Sequence, residues 1–315
     1  MPEQVLAYLD IRPSGVYADL TIGQGGHAEL ILPRLEPPGR LIGLDRDPAA
    51  LRASAERLRP WGERLRLVHS RFSHLEAVLD ELGVEQLDGV LMDTGVSRDQ
   101  LLDPARGFSF DSVGLSMKLD PTEPGPDAGQ MVNTYTVGQL AHLFAIVGKR
   151  REGRQVARAI VAFREGKGPI ESTQTLAAAI AAAQTGPGHR GKKRHPATPW
   201  LMALRIAAND EVEEIRRGVQ AAAHRLRPET GRLVVLTWAG HEHGLVRQEF
   251  RSLQHPCICP PALPCACRKT PLLRVLTRRP LAATEEEIHR NPAARTCRLQ
   301  AAVATSEQER EAAPH

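Results

Sequence analysis

Three aspartates stand where a sheet could use them for chemistry. Asp19, Asp45 and Asp93 each follow directly on a short apolar run that is typical of a buried strand. If these strands are parallel, their carboxyl ends meet at one edge of the sheet, which is where ligands bind in open α/β folds. One such acid could be a structural cap, but three at one edge favour a binding site.

A glycine-rich turn follows the first of these acids. Gly23, Gly25 and Gly26 have the spacing G-x-G-G, and glycine lets the backbone turn tightly and approach a ligand with no Cβ in the way. The spacing differs from the G-x-G-x-x-G of dinucleotide-binding turns, so no pyrophosphate site is predicted. An ordinary strand, turn and helix would show the same pattern, so the turn alone does not identify a site.

The second acid points to a nucleoside. Asp45 follows Asp19 at nearly the usual spacing of a carboxylate that accepts hydrogen bonds from a ribose diol. A carboxylate there disfavours an extra phosphate, and no phosphate-binding lysine accompanies the turn. Together these features suggest S-adenosylmethionine as cofactor. Phe72, after the third strand, could pack on the adenine face, although a phenylalanine in the protein core is an equal alternative.

The elements that must position these residues form an α/β pattern with a helical block inserted between the fourth and fifth strands. All strands are expected in one sheet, because a smaller sheet could not be buried on both faces. The expected domains are the sheet domain over 1–103 and 207–305, an inserted helical domain over 104–206 and a polar tail over 306–315. The predicted strands are 16–19, 41–45, 65–69, 87–93, 231–237 and 272–277, and the predicted insertion has helices over 137–165, 173–184 and 199–217 and an exposed loop over 121–129.

Composition fits a globular protein that acts on a polyanion. Hydrophobic residues make up 42% of the 315 residues and charged residues 25%. No apolar run could span a bilayer and no signal peptide is evident, so we expect a cytoplasmic protein without a membrane partner. The net charge is only +4, but residues 104–206 hold 14 basic residues against 7 acidic ones. Lys192, Lys193 and Arg194 are therefore predicted to bind nucleic acid, with a solvated loop as the alternative.

Four of the five cysteines form two C-x-C pairs, Cys257 with Cys259 and Cys265 with Cys267. Paired cysteines at this distance could bind zinc. The pairs are tighter than the usual C-x₂-C, however, and prolines stiffen the segment between them. A loop of reduced thiols is the other interpretation, and both stay open. No metal is expected in the reaction itself.

Motifs along nearly the whole chain resemble those of the MraW/RsmH family, the ribosomal small-subunit RNA methyltransferases H. The similarity includes the turn, both flanking strand ends and several segments of the insertion, all in the family's order. The matching segments are Asp19-Leu-Thr-Ile-Gly-Gln-Gly-Gly-His27, Gly43-Leu-Asp-Arg-Asp-Pro48, Asp93-Thr-Gly-Val-Ser97 with Gln100-Leu101, Arg106-Gly-Phe-Ser-Phe110, Ala157-Arg-Ala-Ile-Val161, His195-Pro-Ala-Thr198, Ala203-Leu-Arg-Ile206, Asn209-Asp-Glu211, Glu287-Ile288, and Asn291-Pro292 with Ala294-Arg295.

The resemblance implies a Rossmann-like class I S-adenosylmethionine-dependent methyltransferase sheet with an inserted helical domain. It implies methylation of N4 of a cytidine in the decoding centre of 16S rRNA, with the small ribosomal subunit as partner; a homodimer stays open. An amino-methyltransferase for another RNA, or a non-catalytic cofactor- and RNA-binding assembly protein, are the alternatives. The cofactor residues carried over from the family pattern are Gly25, Gly26, His27, Asp45, Phe72, Asp93 and Gln100.

Three segments depart from the family's pattern. The family's Leu-Asp-Met-Arg-Met appears as 115–119 with one acid lost, its Thr-Phe-Gln-Ala-Leu-Arg as 199–205, and its Ser-Phe-His-Ser-Leu-Glu-Asp as 237–243. The family's amino-terminal His-x-Pro-Val-Leu segment is missing or truncated in this sequence. The half that the resemblance assigns to the cofactor is therefore better kept than the half that it assigns to RNA.

Asp93 is the candidate catalytic residue. The exocyclic N4 of cytosine is a poor nucleophile because its lone pair is delocalised into the ring, and an acceptor on one N4–H can localise that pair and take the proton. Asp93, at the end of the fourth strand, is placed for this. The alternative is that it only orients the methionine end of the cofactor, in which case His241, Glu242 and His243 are the next candidates.

Overall fold

The computed structural model describes residues 1–184, 195–260, 266–306 and 308. They form two compact units: Met1–Gly95 with Val212–His315, and Val96–Glu211. The second unit is longer at both ends than the insertion expected over 104–206. At its start, Ser97 caps a helix by accepting from the backbone N–H of Gln100, and at its end Asn209 binds the backbone of 117–119.

The strands of the first unit form one eight-stranded sheet with the order β3-β2-β1-β4-β5-β8-β6, and β7 pairs with β8. The first five strands of that order are parallel, and β8 is antiparallel to β5. The prediction that early and late strands share one sheet is confirmed. The strands are β1 (Val16–Asp19), β2 (Arg40–Asp45), β3 (Leu65–His69), β4 (Gly89–Asp93), β5 (Arg232–Thr237), β6 (Leu273–Val275), β7 (Leu281–Ala282) and β8 (Arg298–Ala304).

Helices cover both faces of this sheet and make up most of the second unit. They are α1 (Pro2–Leu9), α2 (Ala28–Ile31), α3 (Pro48–Arg57), α4 (Leu75–Glu81), α5 (Arg98–Leu102), α6 (Ala128–Thr134), α7 (Val137–Phe144), α8 (Arg150–Lys167), α9 (Thr173–Ala183), α10 (Thr198–Asn209), α11 (Glu211–Arg225), α12 (Gly240–Gln254) and α13 (Glu285–Arg290). Nowhere in the described ranges is a helix long and apolar enough to cross a membrane.

Burial on both faces explains why the parallel strands are continuous apolar runs. In β4, Val90 and Met92 pack into one core cluster, and Leu91 packs into the cluster on the opposite face. All three side chains are fully buried. The first polar position after such a run, here Asp93, therefore falls where the strand leaves the core.

β8 was not predicted from the sequence, although it is an interior strand of the sheet. Its buried residues include Ala301, Ala302 and Ala304, and alanine has little preference for strands. What fixes β8 is pairing on both sides, with β5 along its whole length and with β6 and β7 on its other edge. The partner strands are separated from β8 along the chain, so no pattern within residues 298–304 predicts the strand.

Two of the helices predicted from the sequence are each divided into two helices in the structure. The helix expected over 137–165 is interrupted at Gly148, whose φ of +74° ends the first helical stretch. The helix expected over 199–217 is interrupted at Asp210, which has φ +51° and ends α10 in the left-handed conformation. The loop expected over 121–129 also ends early, because Asp127 caps α6 and the helix begins at Ala128.

The departure over 199–205 lies in the core of the second unit. Trp200 is fully buried, packs edge-to-face on Phe144 at 5.3 Å between ring centroids, and donates from Nε1 to Oε1 of Gln184 at 3.3 Å. At the other end of the segment, Arg205 forms an ion pair with Glu211. The bulky tryptophan is thus a packing residue of the helical unit.

Asn209 fixes the departing segment 115–119. Its Oδ1 accepts from the backbone N–H of Leu119 at 2.8 Å, and its Nδ2 donates to the carbonyl oxygens of Met117 at 2.7 Å and of Arg205 at 2.8 Å. Beside it, the Lys118 ammonium donates to three successive carbonyl oxygens over 123–125. The altered segment is therefore held by hydrogen bonds between side chains and backbone groups, none of which uses the position of the lost acid.

Candidate functional site

Four strand ends form the candidate site. β2, β1, β4 and β5 are neighbours in the sheet and parallel, and adjacent strands lie about 4.8 Å apart. Asp45, Asp19 and Asp93 end the first three of them. The structure thus brings the three predicted acids to one edge, with the turn that follows β1 beside them.

The glycine-rich turn is shaped by its glycines and held by Asp45. Gly25 has φ +83°, and a Cβ there would lie 2.8 Å from Cδ1 of Leu58, whereas no atom lies within 4 Å of a Cβ built on Gly26. Asp45 accepts from the backbone N–H of Gly23 through Oδ2 and from that of Asp47 through Oδ1, both at 2.8 Å. The turn therefore presents open space over Gly26 from a fixed backbone.

Asp19 is a buried carboxylate with an unsatisfied oxygen. Its side chain is almost fully buried, Oδ1 accepts from the backbone N–H of Thr21 at 3.1 Å, and Oδ2 has no hydrogen-bond partner. Burial raises the pKa of Asp19 to about 6, against the lowering effects of His27 and of the Thr21 hydrogen bond. Such a group favours a bound cation or hydrogen-bond donor. Asp19 was not among the predicted cofactor residues, although its place at a strand end was visible in the sequence.

Asp93 joins three elements of the site. Its Oδ1 accepts from Nε1 of Trp238 at 2.8 Å, and its Oδ2 lies 3.6 Å from Nε2 of His27. Its backbone N–H donates to Oγ1 of Thr21 at 2.7 Å. The side chains of Asp93 and His27 keep 24% and 21% of their exposure, so a ligand can reach them.

His27 carries a raised pKa. Burial alone would lower the pKa of the imidazole, but the hydrogen bond with Asp93 and the negative charges of Asp93 and Asp19 outweigh it. An imidazole held in this way favours its protonated form. The turn and β4 are thus linked by a polar pair that is still open to ligand.

A family model described as the MraW methylase family matches residues 1–305. The chain belongs to the MraW methylase family. It is 45% identical over 304 residues to the ribosomal RNA small subunit methyltransferase H of Geobacter sulfurreducens, covering 96% of both chains. It is 42% identical over 301 residues to the protein of the same name from Carboxydothermus hydrogenoformans, covering 95% of this chain and 94% of that one. A solved structure, a putative rRNA-methylase from Clostridium thermocellum, covers 96% of both chains with a TM-score of 0.45 and 10% identity.

The segment 237–243, which departs from the family's pattern, places Trp238 directly after β5 and Glu242 in the first turn of α12. Besides the Trp238–Asp93 hydrogen bond, Glu242 Oε2 accepts from the backbone N–H of Trp238 at 2.7 Å and from Oγ1 of Thr94 at 3.1 Å. Glu242 is almost fully buried and so ties the ends of β4 and β5 together. Sequence reasoning missed the role of Trp238, because an indole N–H has no pattern that points to its acceptor.

His243 is also engaged within the protein. Its Nδ1 lies 2.6 Å from Oγ1 of Thr237, and burial lowers the pKa of the imidazole. Glu242 and His243 were both alternatives to Asp93, and the side chains of both make hydrogen bonds that hold the end of β5. Asp93 is the more exposed acid of this group.

Phe72 and Gln100 make contacts within the protein. The Phe72 ring packs against Gly218 of α11, where a Cβ would lie 2.6 Å from its Cδ2, and lies at the margin of the core. Gln100 belongs to the second unit, where its Oε1 accepts from the backbone N–H of Ser97 at 2.8 Å in a capping box. The predicted cofactor contacts of both residues stay predictions.

Lys192, Lys193 and Arg194 lie outside the described residues. Within the described part of the second unit, α8 presents four exposed arginines: Arg150, Arg151, Arg154 and Arg158. Three of them recur every four residues and so share one face of the helix. This stripe was not singled out from the sequence, although its spacing was there to find.

Proposed function

We propose that the protein transfers a methyl group from S-adenosyl-L-methionine to N4 of a cytidine in small-subunit ribosomal RNA. The observation that carries the proposal is Asp93, a partly exposed carboxylate at the end of β4, held by Trp238 and paired with His27. Membership of a methylase family and relatives named as small-subunit RNA methyltransferases support it.

The residues of the turn and of the strand ends fit the methyl donor. Asp19 offers a buried, unsatisfied carboxylate oxygen to a cationic or N–H donor group. Gly26 leaves room for a ligand against the backbone, and Asp45 keeps further lone pairs for ribose hydroxyls. When bound, S-adenosyl-L-methionine supplies an electrophilic sulfonium methyl group.

Asp93 would act on the amine that receives the methyl group. One of its carboxylate oxygens accepts an N4–H, which localises the lone pair on nitrogen and stabilises the positive charge that develops as the bond forms. Trp238 and His27 hold the carboxylate in place. The indole of Trp238 is a neutral hydrogen-bond donor, so the carboxylate of Asp93 keeps its negative charge. The cytosine must leave its stack to present N4 to this acid.

The second unit would bind the RNA. It carries the excess of basic residues, and the arginine stripe of α8 is exposed to solvent. Arginines on one helix face suit the phosphates of a nucleic acid backbone. The small ribosomal subunit is the proposed partner; the homodimer stays a prediction.

The test is single-turnover methyl transfer to small-subunit RNA, with the modified cytidine read by mass spectrometry. Asp93→Asn keeps the size of the side chain and an acceptor for the Trp238 N–H but removes the charge. We expect the transfer rate at saturating cofactor to fall on the order of 10²-fold, the scale of lost general-base or electrostatic help. Trp238→Phe is the matched control, because it removes the hydrogen bond and keeps the charge.

Trp238→Phe should slow transfer by only several-fold. If Asp93→Asn instead weakens cofactor binding and preserves the rate at saturation, Asp93 positions the cofactor and the proton leaves N4 by another route. If wild-type protein transfers no methyl group to any cytidine of the small subunit, the proposed substrate is wrong.

A further inference from the structure

The loop between α12 and β6 gathers cysteine side chains. Sγ atoms of Cys257, Cys259 and Cys267 all lie within 4.8 Å of one another. Cys257 is exposed, and the other two are partly buried. Two of these residues come from the start of the loop and one from its later part, so the chain has folded back on itself to bring them together.

Three thiol groups within this distance of one another are close enough to share one zinc ion. With Zn–S bonds of about 2.3 Å, sulfur ligands of one ion lie roughly 3.8 Å apart. Thiolates select zinc over the harder divalent ions. Residues 255–272 contain no aspartate or glutamate, so cysteine is the only anionic ligand that this loop offers.

We propose that Cys257, Cys259 and Cys267 bind a structural zinc ion. The loop also carries Cys265, which lies outside the described residues, and the proposal rests on the three described thiols. Nothing in the proposed methyl transfer uses this ion.

The backbone around the cluster supports a metal site. The N–H of Ala266 donates to Sγ of Cys259 at 3.2 Å, and a hydrogen bond to sulfur stabilises the thiolate that a metal requires. The ends of the loop are closed by the Leu272 N–H, which donates to the Leu253 carbonyl oxygen at 2.9 Å, and by the Val275 N–H, which donates to Oε1 of Gln254 at 2.8 Å. An ion would thus fasten a loop whose two ends are already fixed.

Within the described part of the loop, apolar packing is weak beside the first two cysteines. Ile258, between the first two cysteines, is 73% exposed. Short segments without a core of their own are commonly held by metals or disulfides. A zinc ion would therefore supply the cross-link that packing does not.

The cluster lies away from the chemistry. It follows the carboxyl end of α12, a helix of 15 residues and therefore about 22 Å long, whereas Trp238 and Asp93 lie at the amino end of that helix. The ion accordingly has a structural role, and its loss should leave the chemistry at Asp93 in place.

The first measurement uses the unmodified, full-length protein purified from zinc-containing medium. Native mass spectrometry and elemental analysis are expected to give about one zinc ion per chain, released on denaturation. Protein refolded with Co²⁺ in place of zinc should show the charge-transfer and d–d bands of tetrahedral cobalt thiolate.

Variants then assign the ligands. Cys257→Ser, Cys259→Ser and Cys267→Ser should each lose most of the bound zinc. Cys297→Ala is the matched control, because this thiol is buried in the core of the sheet domain and burial raises its pKa to about 12. The control should keep its zinc, and folded variants should keep their cofactor affinity.

Three results would overturn the proposal. The first is a purified protein that carries no zinc and does not bind Co²⁺. The second is iron or copper in place of zinc in the purified chain. The third is a disulfide between any two of the three cysteines in protein prepared under reducing conditions. Because the first measurement needs no variant, a cysteine variant that fails to fold leaves the proposal open to refutation.

Discussion

The three aspartates at the carboxyl edge of the sheet have different partners and therefore different properties. Asp45 accepts two backbone N–H groups and shapes the turn. Asp19 keeps one oxygen unsatisfied in a buried position, and Asp93 is held by Trp238 while staying partly exposed. The same side chain thus serves as a scaffold, as a proposed anchor for a positive group and as the proposed acceptor of the reaction.

Asp19→Asn should raise the free energy of unfolding of the cofactor-free protein at pH 8 by about 1–3 kcal/mol, because burial penalises the carboxylate charge. Since the pKa of Asp19 is raised to about 6, the native state holds more protons than the unfolded state between about pH 4 and 6. The contribution of Asp19 to the stability of the wild type therefore falls as the pH rises through that window.

Urea unfolding at pH 4.5 and pH 8 checks this, with the exposed Asp111→Asn as control. The gain should be large at pH 8, small at pH 4.5, and absent in the control. The same variant should bind the cofactor more weakly. A variant that is no more stable than the wild type at pH 8 would contradict the assignment of a buried charge to Asp19.

At the scale of secondary-structure elements, residues at the ends of helices make hydrogen bonds that fix neighbouring segments. α10 ends at Asn209, and the break at Asp210 lets the Asn209 amide reach the backbone of 117–119. The sequence marked the motif Asn209-Asp-Glu211 by resemblance alone. The structure supplies the reason for the asparagine: its amide accepts from one backbone N–H and donates to two carbonyl oxygens at the same time.

Asn209→Ala should lower the free energy of unfolding by about 2–4 kcal/mol, because it leaves the buried backbone groups of Met117 and Leu119 without partners. Denaturant unfolding measures the loss, and hydrogen exchange should show faster exchange of the Leu119 amide. Gln155→Ala, which removes one exposed hydrogen bond to the Ala183 carbonyl, is the control. Equal stability of the two variants would mean that 117–119 is held by other contacts.

At the scale of the whole molecule, charge and chemistry are divided between the two units. The acids of the candidate site belong to the first unit and most of the excess basic charge to the second. The proposed methyl transfer to RNA would use both properties, the carboxylates of the first unit for the chemistry and the basic residues of the second for phosphate contacts.

Replacing Arg150, Arg154 and Arg158 with alanine should weaken RNA binding and lower the salt dependence. Three lost phosphate contacts should reduce the slope of log K against log salt by about 2. Filter binding or fluorescence titration across a salt series measures it, with calorimetry to verify that cofactor affinity is unchanged. The control removes the same charge from the first unit, as Arg52, Arg59 and Arg66 to alanine, and an equal effect there would show a non-specific loss of charge.

Lys192, Lys193 and Arg194 remain a prediction of the sequence, and the same titration tests them. Alanine at all three should lower the slope in the same way if these side chains contact phosphates. An unchanged slope would leave them as a solvated loop and place the RNA contacts on α8.

The sequence alone predicted the positions of the parallel strands along the chain, the glycine-rich turn and the acids at the strand ends. These follow from local rules, because a strand buried on both faces must be apolar along its length and turns polar where it leaves the core. The resemblance to the family rested on the same local motifs, and the family match over residues 1–305 confirms it.

Only the tertiary structure decided the rest. The strand β8 is rich in alanine and exists through pairing with partners far away in sequence, and the hydrogen bond from Trp238 to Asp93 joins residues on different strands. The breaks at Gly148 and Asp210 likewise depend on where the next helix must pack. Pairing, burial and hydrogen bonding between distant segments are properties of the folded chain, and no window of neighbouring residues contains them.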